Sequence, residues 1–211
     1  MFTKTLLPDT LRGIKLVSDF PEIQKAYLAG GTALALQIGH RISIDLDFFT
    51  QNEFSKTQVL AKLSSLKDFV EEGTVKWTIW GKIGKTKFSI FYYKYPLLEK
   101  TRLFEGIQLA SLADIAAMKI HAISDRGTRR DFIDTFFLSK KYNLEEMLSF
   151  YQKKYGVLED HLYSILRSLD YFEDAEKETQ MPNMITDVDW EKIKDYFRNE
   201  ARLLTKKKLQ T

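Results

Sequence analysis

Two aspartates, Asp45 and Asp47, lie in the alternating run Ile42-Ser43-Ile44-Asp45-Leu46-Asp47-Phe48-Phe49. Residues two apart on a strand project from one face, about 7 Å apart along the backbone, so both carboxylates can reach one or two Mg²⁺ ions. Paired hard oxygen ligands suit phosphoryl transfer, in which metal ions neutralise a triphosphate, activate the attacking oxygen and stabilise the leaving pyrophosphate. Alone, Asp-x-Asp more often marks an exposed strand face or a turn. Ser43 shares that face, as a polar cross-strand neighbour or as a substrate contact.

Upstream stands Gly30-Gly31-Thr32, between the apolar run Ala26-Tyr27-Leu28-Ala29 and a helical run closed by Gly39. Glycines here let a phosphate approach the open N–H groups of a helix start, or simply make a tight turn with positive φ. Downstream, the helical pattern Leu112 to Asp125 has a broad apolar face of Leu112, Ile115, Ala116, Ile120, Ala122 and Ile123, with Asp114, His121 and Asp125 opposite. Ser111 and Asp114 form a plausible capping box for it. Lys119 falls within the apolar face, and Arg126 projects within about 20° of the same direction. An inward ammonium needs a carboxylate or a bound phosphate, unless it snorkels from the edge of the face. Asp131 and Asp134, at i and i+3 of a new helix, can answer both cations. They form either a salt-bridge cluster joining two helices or a polar wall facing the acidic strand.

These residues need elements to hold them. A short amphipathic helix is expected over Asp9 to Phe20, then strand, glycine turn and helix from Ala26 to Ile38, then the acidic strand Ile42 to Phe49. A helix over Ser55 to Leu66 precedes strands at Thr74 to Trp80 and Thr86 to Tyr93, read as a hairpin across Gly81 to Lys85. From Pro96 the pattern turns helical: Leu112 to Asp125, Arg130 to Lys141, Leu144 to Tyr155, Glu159 to Phe172 and Asp189 to Leu204. The change falls near residues 96 to 110, and Glu178 to Asp187 is a further linker. A mixed α/β half precedes a helical half, which is an α+β class.

The 211 residues are 44% apolar, 13% aromatic and 29% charged, the composition of a soluble globular chain of one ordinary domain or two small ones. With no cysteine there are no disulfides or thiolate metal sites, in keeping with a cytoplasmic location. No signal-peptide core is visible between Met1 and Gly13, and no stretch reaches a membrane span. A net charge of +3 is too mild to demand nucleic acid, and Lys206-Lys207-Lys208 reads as a solvated, frayed terminus. His40, His121 and His161 do not pattern as a zinc site and read as surface or structural, and no serine-nucleophile signature is present.

Taken together, the chain resembles the AbiEii/AbiGii toxin family of nucleotidyltransferases, within the DNA polymerase β-like superfamily. The matching stretches are Leu28-Ala-Gly-Gly-Thr-Ala-Leu-Ala-Leu36, Gly39-His-Arg-Ile-Ser-Ile-Asp-Leu-Asp-Phe-Phe49, Asp114-Ile-Ala-Ala-Met-Lys119 and Arg126-Gly-Thr-Arg-Arg-Asp-Phe-Ile-Asp134, in that order. The resemblance implies a polymerase β-like core over residues 1–100 and a helical bundle over 101–211 that contributes Lys119 and Asp131. It implies that Gly30, Gly31 and Thr32 hold nucleotide phosphates; Ser43 and Arg126 are further candidate nucleotide contacts. It further implies that Asp45 and Asp47 bind Mg²⁺ (or Mn²⁺), that Lys119 contacts the triphosphate, and that Asp131, with Asp134, is an essential acid. The expected reaction moves a nucleoside monophosphate from an NTP to an RNA end, for example of tRNA, or to a protein hydroxyl. The resemblance also suggests a cognate antitoxin. One departure stands out: such enzymes usually carry a third acid on a later strand, and Thr86 to Tyr93 has none. Asp131 or Asp134 then serves as base or ligand, or activity is weakened. The rivals are a nucleotide-sugar glycosyltransferase and a catalytically inert RNA- or protein-binding module.

Overall fold

The computed structural model describes residues 1–209, without the side chains of Leu158, Lys208 and Leu209. It divides into two compact units, Met1–Ser111 and Leu112–Thr211.

In the first unit the order is α1 (Pro8–Val17), α2 (Pro21–Gln24), β1 (Tyr27–Leu28), α3 (Gly30–Ile38), β2 (Leu46–Thr50), α4 (Lys56–Ser64), β3 (Phe69–Val75), β4 (Thr78–Ile83), β5 (Thr86–Tyr92), β6 (Arg102–Phe104) and β7 (Ile107–Leu109). The seven strands form one mixed sheet in the order β3-β4-β5-β2-β1-β7-β6. β2 runs parallel to β5 and antiparallel to β1, while β1 runs parallel to β7. Leu28, Leu46, Phe48, Phe88 and Ile90 of the central strands are fully buried, as are Leu34 and Leu36 of α3. Burying these side chains supplies most of the drive to fold, at roughly 25 cal/mol per Å² removed from water.

Three details depart from the sequence expectations. β2 begins at Leu46, and residues 42 to 45 are not strand: Ile44, expected on the apolar face, is 38% exposed, while Ser43 is buried. Two hairpins replace one, because the chain turns at Trp77 (φ 54°) and again at Gly84 (φ 60°). β3 carries no apolar alternation, being an edge strand with Glu71, Glu72 and Val75 exposed, so periodicity does not reveal it. Its pairing depends on glycines: a Cβ on Gly81 would lie 2.2 Å from the Val70 carbonyl oxygen. Finally, β6 and β7 pair across a turn with positive φ at both Glu105 and Gly106, the torsions of a type I′ hairpin. These strands carry the first unit past residue 100 to Ser111.

The second unit is helical: α5 (Leu112–Asp125), α6 (Arg129–Leu138), α7 (Leu144–Tyr155), α8 (Leu158–Ser168), α9 (Glu173–Lys177) and α10 (Trp190–Leu209). Asn143 and Glu146 form a capping box at the start of α7, and Gly156 ends it in the left-handed region. Ile115, Ile120, Phe132, Ile133, Ile165 and Phe197 make the core. Asp114, expected on the polar side of α5, is instead wholly buried and accepts from Lys154 of α7 at 2.8 Å. At the C-terminus α10 runs through Lys206 and Lys207, and the exposed Lys207 side chain lies 2.7 Å from Glu145. No helix among the described residues is long and apolar enough to cross a membrane.

Candidate active site

The acidic pair sits at the start of β2, against the N-terminus of α3. Ala29 is extended, Gly30 turns the chain with φ +67°, and α3 begins at once. A Cβ at Gly30 would lie 3.5 Å from Asp47 Oδ2, so this carboxylate faces the helix start, where the dipole and open N–H groups favour negative charge. Gly31 is small for another reason: a Cβ there would lie 2.1 Å from the guanidinium of Arg41 and 3.3 Å from Ser43 Oγ. Arg41 is buried and donates to the Ile42 carbonyl at 3.1 Å. It places a cation over the glycine turn, and the sequence reading did not single it out.

Thr32 ties the turn to the acids. Its buried hydroxyl lies 2.5 Å from the Asp45 carbonyl oxygen and 2.9 Å from Ser43 Oγ, bonded to both. Ser43 is held in turn by its backbone N–H, which donates to the Thr5 carbonyl at 3.0 Å. Thr32 and Ser43 thereby fix the irregular segment that presents Asp45.

In the parallel register of β2 and β5, Asp47 faces Ser89, whose hydroxyl donates to Asp47 Oδ1 at 2.5 Å. The position beside Asp47 on the neighbouring strand, where a third acid would share its face, is therefore a serine. This bond orients Asp47 and leaves Oδ2 toward Gly30. Two partly exposed carboxylates, one oriented by a hydroxyl, suit Mg²⁺ or Mn²⁺, which keep several waters and complete their shells with substrate phosphates.

In the second unit, Lys119 is buried on α5 and pairs with Asp131 Oδ1 at 2.9 Å and Asp134 Oδ2 at 2.6 Å, both on α6. The inward lysine is thus answered within its own unit by two acids. Asp131 also accepts from Arg126 Nε at 2.9 Å, Arg126 Nη2 at 3.1 Å and Thr128 Oγ1 at 2.6 Å. Burial pushes the Asp131 carboxyl up, but the Lys119 ammonium, the Arg126 guanidinium and the Thr128 hydroxyl outweigh it and hold the group well below the usual carboxylate range. A carboxylate so stabilised, with both oxygens engaged, is a poor proton acceptor near neutrality and a good anchor for cations. Arg126 is fixed bidentately while its side chain stays 60% exposed. Of the histidines, His40 is buried, whereas His121 and His161 are exposed on helices.

A family profile described as "Nucleotidyl transferase AbiEii toxin, Type IV TA system" matches residues 15–98 and 92–208. The chain belongs to the AbiEii nucleotidyltransferase toxin family. Among relatives of this AbiEii chain, an uncharacterised protein of Aquifex aeolicus (strain VF5) is 38% identical over 187 residues, covering 83% of this chain and 86% of that one. MenT4, a nucleotidyltransferase toxin of Mycobacterium tuberculosis H37Rv, aligns with a TM-score of 0.62 at 15% identity, over 93% of this chain and 81% of its own. JHP933 from Helicobacter pylori gives a TM-score of 0.53 at 20% identity, over 93% and 90% of the two chains. The AbiEii fold is accordingly that of polymerase β-like nucleotidyltransferases. Family membership leaves the nucleotide-sugar reading without support.

Proposed function

We propose that this protein transfers a nucleoside monophosphate from an NTP, with Mg²⁺ or Mn²⁺, to a hydroxyl of an RNA end (tRNA included) or of a protein side chain. The observation that carries this reading is the seating of Asp45 and Asp47 against the glycine-initiated N-terminus of α3, clamped by Thr32. Asp45 and Asp47 would hold the metal, which when bound would supply charge neutralisation at the triphosphate. Gly30 and Gly31 admit a phosphate to the α3 N–H groups, and Arg41 adds positive charge beside them. Thr32 and Ser43 keep Asp45 in place, and Ser89 keeps Asp47 in one orientation. Within the second unit, Asp131 and Asp134 hold Lys119, and Asp131 also holds Arg126.

Incubating the protein with each labelled NTP, Mg²⁺ and total RNA or lysate should label an acceptor. Asp47→Ala should lower labelling on the order of 100-fold or more, since the metal supplies several kcal/mol of transition-state stabilisation. Equal labelling by the variant would sink the assignment. Ser89 in place of an acid favours a second reading, a catalytically inert binding module. Under that reading NTP affinity is independent of Mg²⁺, and metal titration separates the two. Family membership supports a toxin paired with an antitoxin.

A further inference from the structure

The second unit holds a surface feature that the proposed chemistry does not use. Between α8 and α10 lies an open cleft of about 810 Å³. One wall carries Tyr163, Arg167 and Tyr171, at i, i+4 and i+8 along and just beyond α8. The other carries Arg198, Arg202 and Lys206, also four apart, so their stems are spaced about 6 Å along the axis of α10. Asp170 is the lone acid of the lining. Arg198 is partly neutralised, lying 3.1 Å from Asp195 and 3.8 Å from Asp170. Arg167, Arg202 and Lys206 make no ion pair among the described residues, and all three are exposed. Tyr163 is 75% exposed and Tyr171 48%, the Tyr171 hydroxyl donating to Glu173 Oε2 at 3.0 Å and leaving its ring face open. The Arg167 guanidinium stands 6.0 Å from the Tyr163 ring, extending one stacking platform.

We propose that this cleft binds a single-stranded stretch of RNA, with its phosphates along Arg202 and Lys206 and its bases on Tyr163 and Tyr171. The reading rests on the nucleotidyl-transfer function above and selects RNA over protein as the acceptor. A cationic stripe facing an aromatic one is the combination by which single strands are held without sequence preference: charge tracks the backbone, and rings take the unpaired bases. A protein-docking cleft would expose its aliphatic residues. Here Leu166 and Ala201 are turned in, and rings and guanidinium groups face out.

The test uses the full chain and a fluorescently labelled 12-nucleotide single-stranded RNA, its duplex form, and polyglutamate as competitor, read by anisotropy across a salt series. The single strand should bind more tightly than the duplex. Reversing two charges together, Arg202→Glu with Lys206→Glu, should weaken binding at least about tenfold and lower the slope of log affinity against log salt by about 1.4. Tyr163→Ala should cost about 5- to 100-fold with the salt slope unchanged. RNA binding unaffected by these substitutions would overturn the assignment of the cleft. A duplex bound as tightly as the single strand, with Tyr163→Ala silent, would reduce the cleft to surface charge and overturn it too. Polyglutamate displacing RNA at equal charge concentration, with Tyr163→Ala again silent, would point to an acidic protein partner instead. Asp47→Asn should bind RNA as the unaltered protein does while losing transfer; cleft-dependent RNA binding by an unaltered protein that transfers nothing would count against the enzymology alone.

Discussion

Ser89 and Asp131 are the residues at which geometry says most. The Ser89 hydroxyl lies 2.5 Å from Asp47 Oδ1 and is the group that sets the orientation of that carboxylate. Removing a partner of this kind typically lowers metal affinity or activity about 10- to 100-fold. Ser89→Ala should therefore raise the Mg²⁺ concentration needed for half-maximal transfer by that order, while thermal unfolding in metal-free buffer shifts little. An unchanged metal dependence would remove Ser89 from the site. Asp131 makes a different prediction. Its carboxyl is held below the value of 3.8 expected of the unfolded chain, so it contributes stability that is fully present above that value. The contribution is lost as pH falls below 3.8 toward the lower folded value. Urea unfolding of the unaltered protein should then lose stability steeply between about pH 4 and pH 2. Asp131→Asn, less stable at pH 7, should lose less across that window. Parallel curves for the two proteins would show that Asp131 is not the linked group.

Between elements, Lys154 of α7 pairs with Asp114 of α5 at 2.8 Å, both wholly buried. Two charges taken out of water gain little net stability as a pair, but one left alone is costly. Lys154→Met should destabilise by about 3–5 kcal/mol in urea titration, and adding Asp114→Leu should restore most of that loss. A double variant as unstable as the single one would show that helix packing, and not the stranded charge, sets the cost. The turn from β1 into α3 imposes a backbone limit. Gly30→Ala places a side chain at φ +67°, at a cost of roughly 1–2 kcal/mol, beside Asp47 Oδ2. It should depress transfer more than Ser89→Ala while leaving the sheet intact by circular dichroism.

For the molecule as a whole, family membership and the acidic pair together predict that expression without an antitoxin slows growth, and that Asp47→Ala relieves it at equal protein level, measured by culture density. Unimpeded growth would remove the toxin role without touching the enzymology. A sheet-bearing part followed by a helical one was legible because helix and strand periods and glycine turns are local properties of the chain, but the boundary lies at Ser111, beyond the expected break at residue 100. Asp45, Asp47, Gly30 and Gly31 were legible for the same reason, their spacing and their turn chemistry being written within a few residues of each other. So was Lys119, since an ammonium on an apolar helix face must have a partner, and Asp131 and Asp134 lie one turn into the next helix. β3, β6 and β7 were not: β3 and β6 are edge strands that bury little, and β7, internal and buried at Ile107 and Leu109, is only three residues long, too short for alternation to show. Local pattern also carried the acidic strand too far back, to residues that leave the sheet so that Thr32 can grip the Asp45 carbonyl. Ser89 meets Asp47 across 42 residues and Lys154 meets Asp114 across 40, and no spacing rule links such partners. The types of the candidate site groups are thus a property of the sequence. The groups that orient and surround them come from strand register and helix packing, which only the folded chain brings within hydrogen-bond reach.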